Sequence, residues 1–200
     1  NHSCLPSATR DFFGDMMLVR ASRLLHRGEE VTDGYISVLH PSFERHSMLR
    51  DHYGFDVSDD RAIVEDTLLP ESLVKPLLLR CDSLADLRGF EELAAEVRKL
   101  ARDRVRWLER EASVVVKAAA CRLNANLEYL LCSCFMPVFI GVAVINKAYG
   151  RFKEAAVAYA LICRFMEEAA PHNAYHVEWA LDALSCSSRG RNNVKQFEGY

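Results

Sequence analysis

Apolar and polar residues are spaced differently from one part of this 200-residue chain to the next, and each change of spacing predicts a different element. Between Ala8 and Leu25 the apolar residues come in short runs, Phe12-Phe13 and Met17-Leu18-Val19, on either side of Gly14-Asp15. Such runs around a glycine-containing pair predict a β-hairpin, the glycine supplying the positive φ that a tight turn needs. His26-Arg27-Gly28 ends that pattern, and Glu29 to Tyr35 reads as a further strand with Val31 and Tyr35 facing inward. From Pro41 the spacing changes to threes and fours through Phe43, His46, Leu49 and Tyr53, which predicts a short helix with Pro41 in its first turn and Gly54 as its stop.

Asp56 to Pro76 is polar and acidic, punctuated by Pro70 and Pro76, and reads as a linker. Beyond Asp82, Leu84, Leu87, Phe90, Leu93, Val97, Leu100, Val105 and Leu108 recur at threes and fours with lysine and arginine between them. That stripe predicts an amphipathic helix. Val114 to Phe135 is apolar nearly all round, as a buried helical stretch would be, and Pro137 ends it.

The segment from Gly141 to Pro171 resembles a tetratricopeptide (TPR) unit: a helix, a turn at Tyr149-Gly150-Arg151-Phe152, and a second helix with Ala155 and Tyr159 at consensus spacing. Asn146 stands where the usual tyrosine would be. His172 to Ser185 would open a further unit, with Tyr175, Trp179 and Leu184 inward, and the polar residues after it read as a tail. Because one such unit buries its face only against a neighbour, the preceding helices must complete the stack.

Composition narrows the classes. Half of the residues are hydrophobic and 26% charged, as in an ordinary globular protein. A net charge of -3 gives no basic footprint for nucleic acid, and no apolar run is long enough to span a membrane. The seven cysteines are odd in number and several lie in apolar helical surroundings, which predicts reduced thiols and a cytoplasmic or nuclear location.

Four landmarks in order then carry a family resemblance: the opening Asn1-His2-Ser3-Cys4-Leu5-Pro6, the hairpin ending in Arg20-Ala21-Ser22-Arg23, the turn Gly28-Glu29-Glu30, and Tyr35 ahead of the Pro41 helix. This succession resembles the C-terminal half of a SET-domain protein-lysine methyltransferase, of the SMYD-like or fungal SET-plus-TPR type. The resemblance implies an S-adenosylmethionine-dependent enzyme acting on a lysine of a protein substrate. It makes Tyr35 the catalytic residue, its hydroxyl near the transferring methyl, and gives Asn1 and His2 the cofactor, through the Asn side chain and the His backbone. Phe55 matches an aromatic that packs on the adenine, and is open between that role and core packing. The family's Gly-x-Gly strand has no counterpart here, so the chain is expected to be the C-terminal portion of its parent and inactive alone.

Departures from the family pattern bear on a metal. Cys4 matches one ligand of a structural zinc, but Val57, Asp59 and Ala62 stand where the other three thiolates belong, so zinc binding is not expected and Cys4 reads as a small buried thiol. His46 and His52 fall on different helix faces and make no site either. The expectation is thus an α+β chain: 1–56 from a SET domain, 57–81 a linker, 82–186 an all-α TPR-like region and 187–200 a flexible tail. The alternative function is a catalytically degenerate scaffold whose helical region binds a partner peptide.

Overall fold

The structure is a computed structural model and describes residues 1–170 and 174–197. Strands β1 (Ala8–Phe13) and β2 (Met16–Ala21) pair antiparallel, Phe13 opposite Met16 and Ala8 opposite Ala21. Gly14 takes φ +59° in the turn, a conformation that a β-carbon would strain. Phe12, Phe13, Met16, Met17, Leu18 and Val19 are all exposed, so the hairpin presents an apolar surface that no described element covers. Glu29 to Tyr35 does not form the expected strand. It makes one parallel bridge, Asp33 with His2, and Thr32 and Glu30 bond to Ser7 and Ala8. Its backbone groups go to the opening loop instead of to a ladder with β2, and Val31 is exposed where an inward position was expected.

Helix α1 (Ser42–Tyr53) begins just after Pro41, which caps it instead of lying in its first turn, and closes at Gly54. The segment expected to be a linker is helical instead. It contains α2 (Asp60–Leu68) and most of α3 (Glu71–Asp82), with Ala62, Val64, Leu68 and Val74 buried in the core. Asp59 caps α2 through the Ala62 N–H, Pro70 precedes α3, and Pro76 sits on the exposed side of α3. These helices are too short for their period to stand out from the prolines and acidic residues around them.

Helix α4 (Leu87–Glu111), about 37 Å long at 1.5 Å per residue, follows the predicted amphipathic stripe and is capped by Asp86. The apolar stretch after it divides at Asn124, which is left-handed, into α5 (Val114–Leu123) and α6 (Leu127–Ser133). Pro137 does not terminate a helix but lies in the first turn of α7 (Met136–Ala148), where its missing N–H leaves no bond unmade. Helix α8 (Phe152–Ala169) follows across the expected turn, with Ala155 and Tyr159 buried. Helix α9 (Ala174–Phe197) runs through most of the segment read as a flexible tail. Leu184 is exposed, contrary to expectation, whereas Trp179 is half-buried and Cys186 is buried. Pro171 and His172, and the side chain of Tyr175, lie outside the described residues.

The core runs between α4, α6, α7 and α8. Leu93, Val97 and Ala101 of α4 meet the Phe135 to Ala143 stretch, and Phe139 packs edge-on against Phe165 with ring centroids 4.7 Å apart. Gly141 faces the Phe90 ring so closely that a β-carbon there would overlap it, so this glycine sets the approach of α7 to α4. Among the described residues no single helix is long and apolar enough to cross a membrane; the one bent apolar pair, α6 with α7, is largely buried in this core.

A charged cluster lies inside this packing. Glu65 on α2 is fully buried, accepting from Arg61 Nε at 2.6 Å through one oxygen and from Arg45 of α1 through the other. Both arginines are buried too, and each also donates to backbone carbonyls, Arg45 to His40 and Arg61 to Cys4, Val38 and Ala169. Burial alone would raise the Glu65 carboxyl, but the two guanidinium groups hold it below its ordinary value of 4.5. Glu65→Ala should cost about 3–5 kcal/mol in urea denaturation, because it strands two desolvated cations. With the folded carboxyl depressed, its contribution is complete above pH 4.5 and is lost as pH falls through the folded value; a wild-type stability curve no steeper in acid than that of Glu65→Gln would contradict this.

Candidate functional site

The opening loop, Tyr35 and the end of α1 converge. Asp33 N–H donates to the Asn1 carbonyl at 2.9 Å and Ser3 N–H to the Asp33 carbonyl at 3.1 Å. This bridge uses the backbone of the residues flanking His2 and leaves His2's own N–H and carbonyl outside it. The His2 ring turns the other way, its Nδ1 accepting the Tyr35 backbone N–H at 3.1 Å. The opening loop and the segment from Asp33 to Tyr35 are thus joined through backbone and side chain together.

Around that join stands an aromatic cluster. The Tyr35 ring lies 5.5 Å from His2, 5.2 Å from Tyr53 and 6.3 Å from Phe55, centroid to centroid, and Phe55 lies 6.1 Å from His2. The Tyr53 hydroxyl donates to the Tyr35 carbonyl at 3.3 Å. Gly54 turns the chain sharply after α1, which brings Phe55 back beside Tyr53. Beside Tyr35 a cleft of about 330 Å³ opens between the hairpin base and residues 33–39, with Pro6, Thr9, Arg10 and Ser22 on its opposite wall. Thr9 Oγ1 is buried without a hydrogen-bond partner there. Such a cleft can take a slender chain, and rings beside it attract a cation through their π-faces.

The sequence-assigned residues Asn1, His2, Tyr35 and Phe55 therefore lie in one region. Asn1 stands at its edge, its side-chain amide donating to Glu30. Sequence reasoning passed over Tyr53, which it counted only as a helical apolar position, although its place one residue before Gly54-Phe55 was a usable signal. It also passed over the hold that α2 has on the loop. Asp59 Oδ2 accepts from the Cys4 N–H at 2.6 Å and the Ser3 hydroxyl at 3.1 Å, and Arg61 donates to the Cys4 carbonyl at 2.8 Å.

The donor set at Cys4 does not fit a structural zinc. Val57 and Ala62 offer no ligand, Asp59 is engaged by backbone and hydroxyl donors, and no group of three or more His, Cys, Asp or Glu residues suited to a metal occurs among the described residues. Burial pushes the Cys4 thiol up to about 11, so it is neutral. All seven cysteines are free.

Comparison with known proteins gives first a class. No protein-family model matches the chain, but a third of it is similar to protein-lysine methyltransferases of the SMYD type. The N-lysine methyltransferase SMYD2 of Sus scrofa is 38% identical over 66 residues, and the histone-lysine N-methyltransferase SMYD3 of Mus musculus 41% identical over 66 residues. Each match covers 33% of this chain and 15% of the relative. SMYD2-B of Xenopus laevis is 42% identical over 55 residues, 28% of this chain and 13% of that protein. The chain thus accounts for a small part of the length of its relatives.

Burial lowers the His2 imidazole below its ordinary 6.5, although Asp59 pulls it upward. The neutral ring is the form that accepts from Tyr35. A two-dimensional NMR titration should therefore show the Tyr35 amide shifting together with the His2 ring, at a midpoint below 6.5. The sign for stability follows: the unfolded histidine takes the proton first, so the contribution is full above 6.5 and is lost as pH falls through the folded value. A His2 midpoint at or above 6.5 would show that the ring is not held in this way.

Proposed function

We propose that this chain is part of an S-adenosylmethionine-dependent protein-lysine N-methyltransferase of the SET family, with a TPR-like helical region. The observation that carries the reading is the join of the opening loop to Tyr35 through His2, with Tyr53 and Phe55 beside it. The partial likeness to SMYD2 and SMYD3 supports it. So does the exposed apolar hairpin, since apolar surface of that kind marks a contact with further protein.

When bound, S-adenosylmethionine supplies an electrophilic methyl on a sulfonium. The chain's own residues would do the rest. The backbone of His2, outside the bridge to Asp33, would pair with the adenine edge, and Phe55 would cover its face. Asn1 would exchange its bond to Glu30 for the charged methionine end. Tyr35 and Tyr53 would line the passage for the substrate lysine, their rings favouring a cation and excluding water, while the Tyr35 hydroxyl orients the amine for in-line attack. The substrate is a lysine-bearing protein, with no nucleic acid or membrane required, in the cytoplasm or nucleus.

Titration calorimetry of the full-length protein with S-adenosylmethionine should give saturable one-site heat, and its absence would remove the reading. Tyr35→Phe should lower turnover by about 100-fold or more while leaving the unfolding transition in place. Unchanged turnover would take Tyr35 out of the site.

A second reading, a catalytically degenerate scaffold that binds a peptide, is favoured by a groove of about 510 Å³ between α4, α7 and α8, with Phe139, Val142, Val157 and Leu161 among its lining residues. It requires Val157→Arg to abolish partner retention while Tyr35→Phe leaves it intact. Turnover that survives Val157→Arg and falls with Tyr35→Phe favours the enzyme.

A further inference from the structure

The family resembled here closes its opening loop against the segment after the first helix with a zinc ion, and this chain has one of the four thiolates. The corresponding region is nevertheless tightly bound. Asp59 Oδ2 takes the Cys4 N–H and the Ser3 hydroxyl, while its Oδ1 takes the Ala62 N–H at 3.0 Å and starts α2. Two residues on, Arg61 takes the Cys4 carbonyl. Both backbone polar groups of Cys4 are therefore held by side chains from one helix start, and the Ser3 hydroxyl in turn accepts the Leu5 N–H at 3.1 Å. The same guanidinium reaches the Val38 carbonyl at 2.8 Å, three residues after Tyr35, and the Ala169 carbonyl at 3.2 Å, at the end of α8. Loop, active-site segment and helical layer meet on one cation.

Charge argues in the same direction. The Cys4 sulfur lies within electrostatic reach of the two buried guanidinium groups of Arg45 and Arg61, which share the carboxylate of Glu65. The two guanidinium charges there are balanced by the carboxylates of Glu65 and Asp59, so no uncompensated negative charge is left at that sulfur to attract a dication.

We infer that Asp59 and Arg61 form a metal-free clasp in the place of the family's zinc, holding the Asn1–Pro6 loop so that His2 meets Tyr35, and tying that loop to α8 through Ala169. The two are positioning residues. The comparison with zinc rests on the methyltransferase reading, whereas the clasp itself rests on the hydrogen bonds.

The test uses the full-length protein, a chelator and amide hydrogen exchange. Treatment with 1,10-phenanthroline should leave exchange of the Cys4 and Leu5 amides unchanged. Asp59→Ala should speed exchange of the Cys4 and Leu5 amides by about tenfold or more, the loss of charge-assisted bonds, while the amides of Leu130 and Phe165 stay protected. Asp59→Asn, which keeps one acceptor, should fall between, and it carries the comparison if Asp59→Ala does not fold. Stoichiometric zinc whose removal frees the same amides would overturn the clasp. So would exchange at Cys4 and Leu5 that neither variant alters. None of these readouts involves the methyl donor: a flat calorimetric titration would remove the methyltransferase reading and leave the clasp standing.

Discussion

A carboxylate without access to water is held in place by whatever neutralises it, and in this protein Glu65 is held by two arginines from different parts of the chain. Moving an isolated carboxylate or guanidinium out of water is prohibitively unfavourable, so neither arginine can leave without the structure opening. Arg45 fixes α1 against α2. Arg61 fixes α2 against the opening loop, the stretch after Tyr35 and the end of α8. The apolar core could be built from many alternative residues of similar volume, but this network demands two forked cations and one carboxylate in one geometry. It therefore specifies how the irregular amino-terminal part sits on the helices, where hydrophobic packing alone would leave its orientation loose.

The site inherits its order from that arrangement. The opening loop has little regular structure, and the hairpin that follows it is largely exposed. Its position comes from discrete polar contacts: Asp59 and Arg61 on Cys4, Asp33 on its neighbours, His2 on Tyr35. Each of these reaches a backbone group, and two of the loop's own side chains take part: the His2 ring accepts from Tyr35 and the Ser3 hydroxyl accepts from Leu5. The aromatic cluster is positioned by a different device, the end of α1 and the turn at Gly54, so two independent supports converge on Tyr35.

The helical part behaves otherwise. Helices α7 and α8 pack as neighbours in sequence and in space, with Phe139 meeting Phe165 across the interface, while Gly141 lets α7 approach α4. Contacts between consecutive helices need no long loop closure, which is how repeat-like stacks gain order locally. The network at Glu65 joins this local stack to a part of the chain more than a hundred residues earlier.

The residues by themselves determined the hairpin with its Gly14 turn, the helix ending at Gly54, the long stripe of α4 and the helix–turn–helix around Gly150, because each depends on periodicity or on a local backbone requirement written within a few positions. They also pointed to Asn1, His2, Tyr35 and Phe55 as one constellation, through ordered landmarks rather than through any single motif. Prolines and acidic residues mask the short periods of α2 and α3, Pro137 resembles a stop although it lies in the first turn of α7, and the polar residues after Ser187 hide the continuation of α9. Only the tertiary structure decided that Glu65 is buried between Arg45 and Arg61, that Asp59 turns toward Cys4, and that Tyr53 joins the site. A charged residue in a sequence looks the same whether it faces water or a partner dozens of positions away; burial and the identity of that partner come into being when the chain closes on itself.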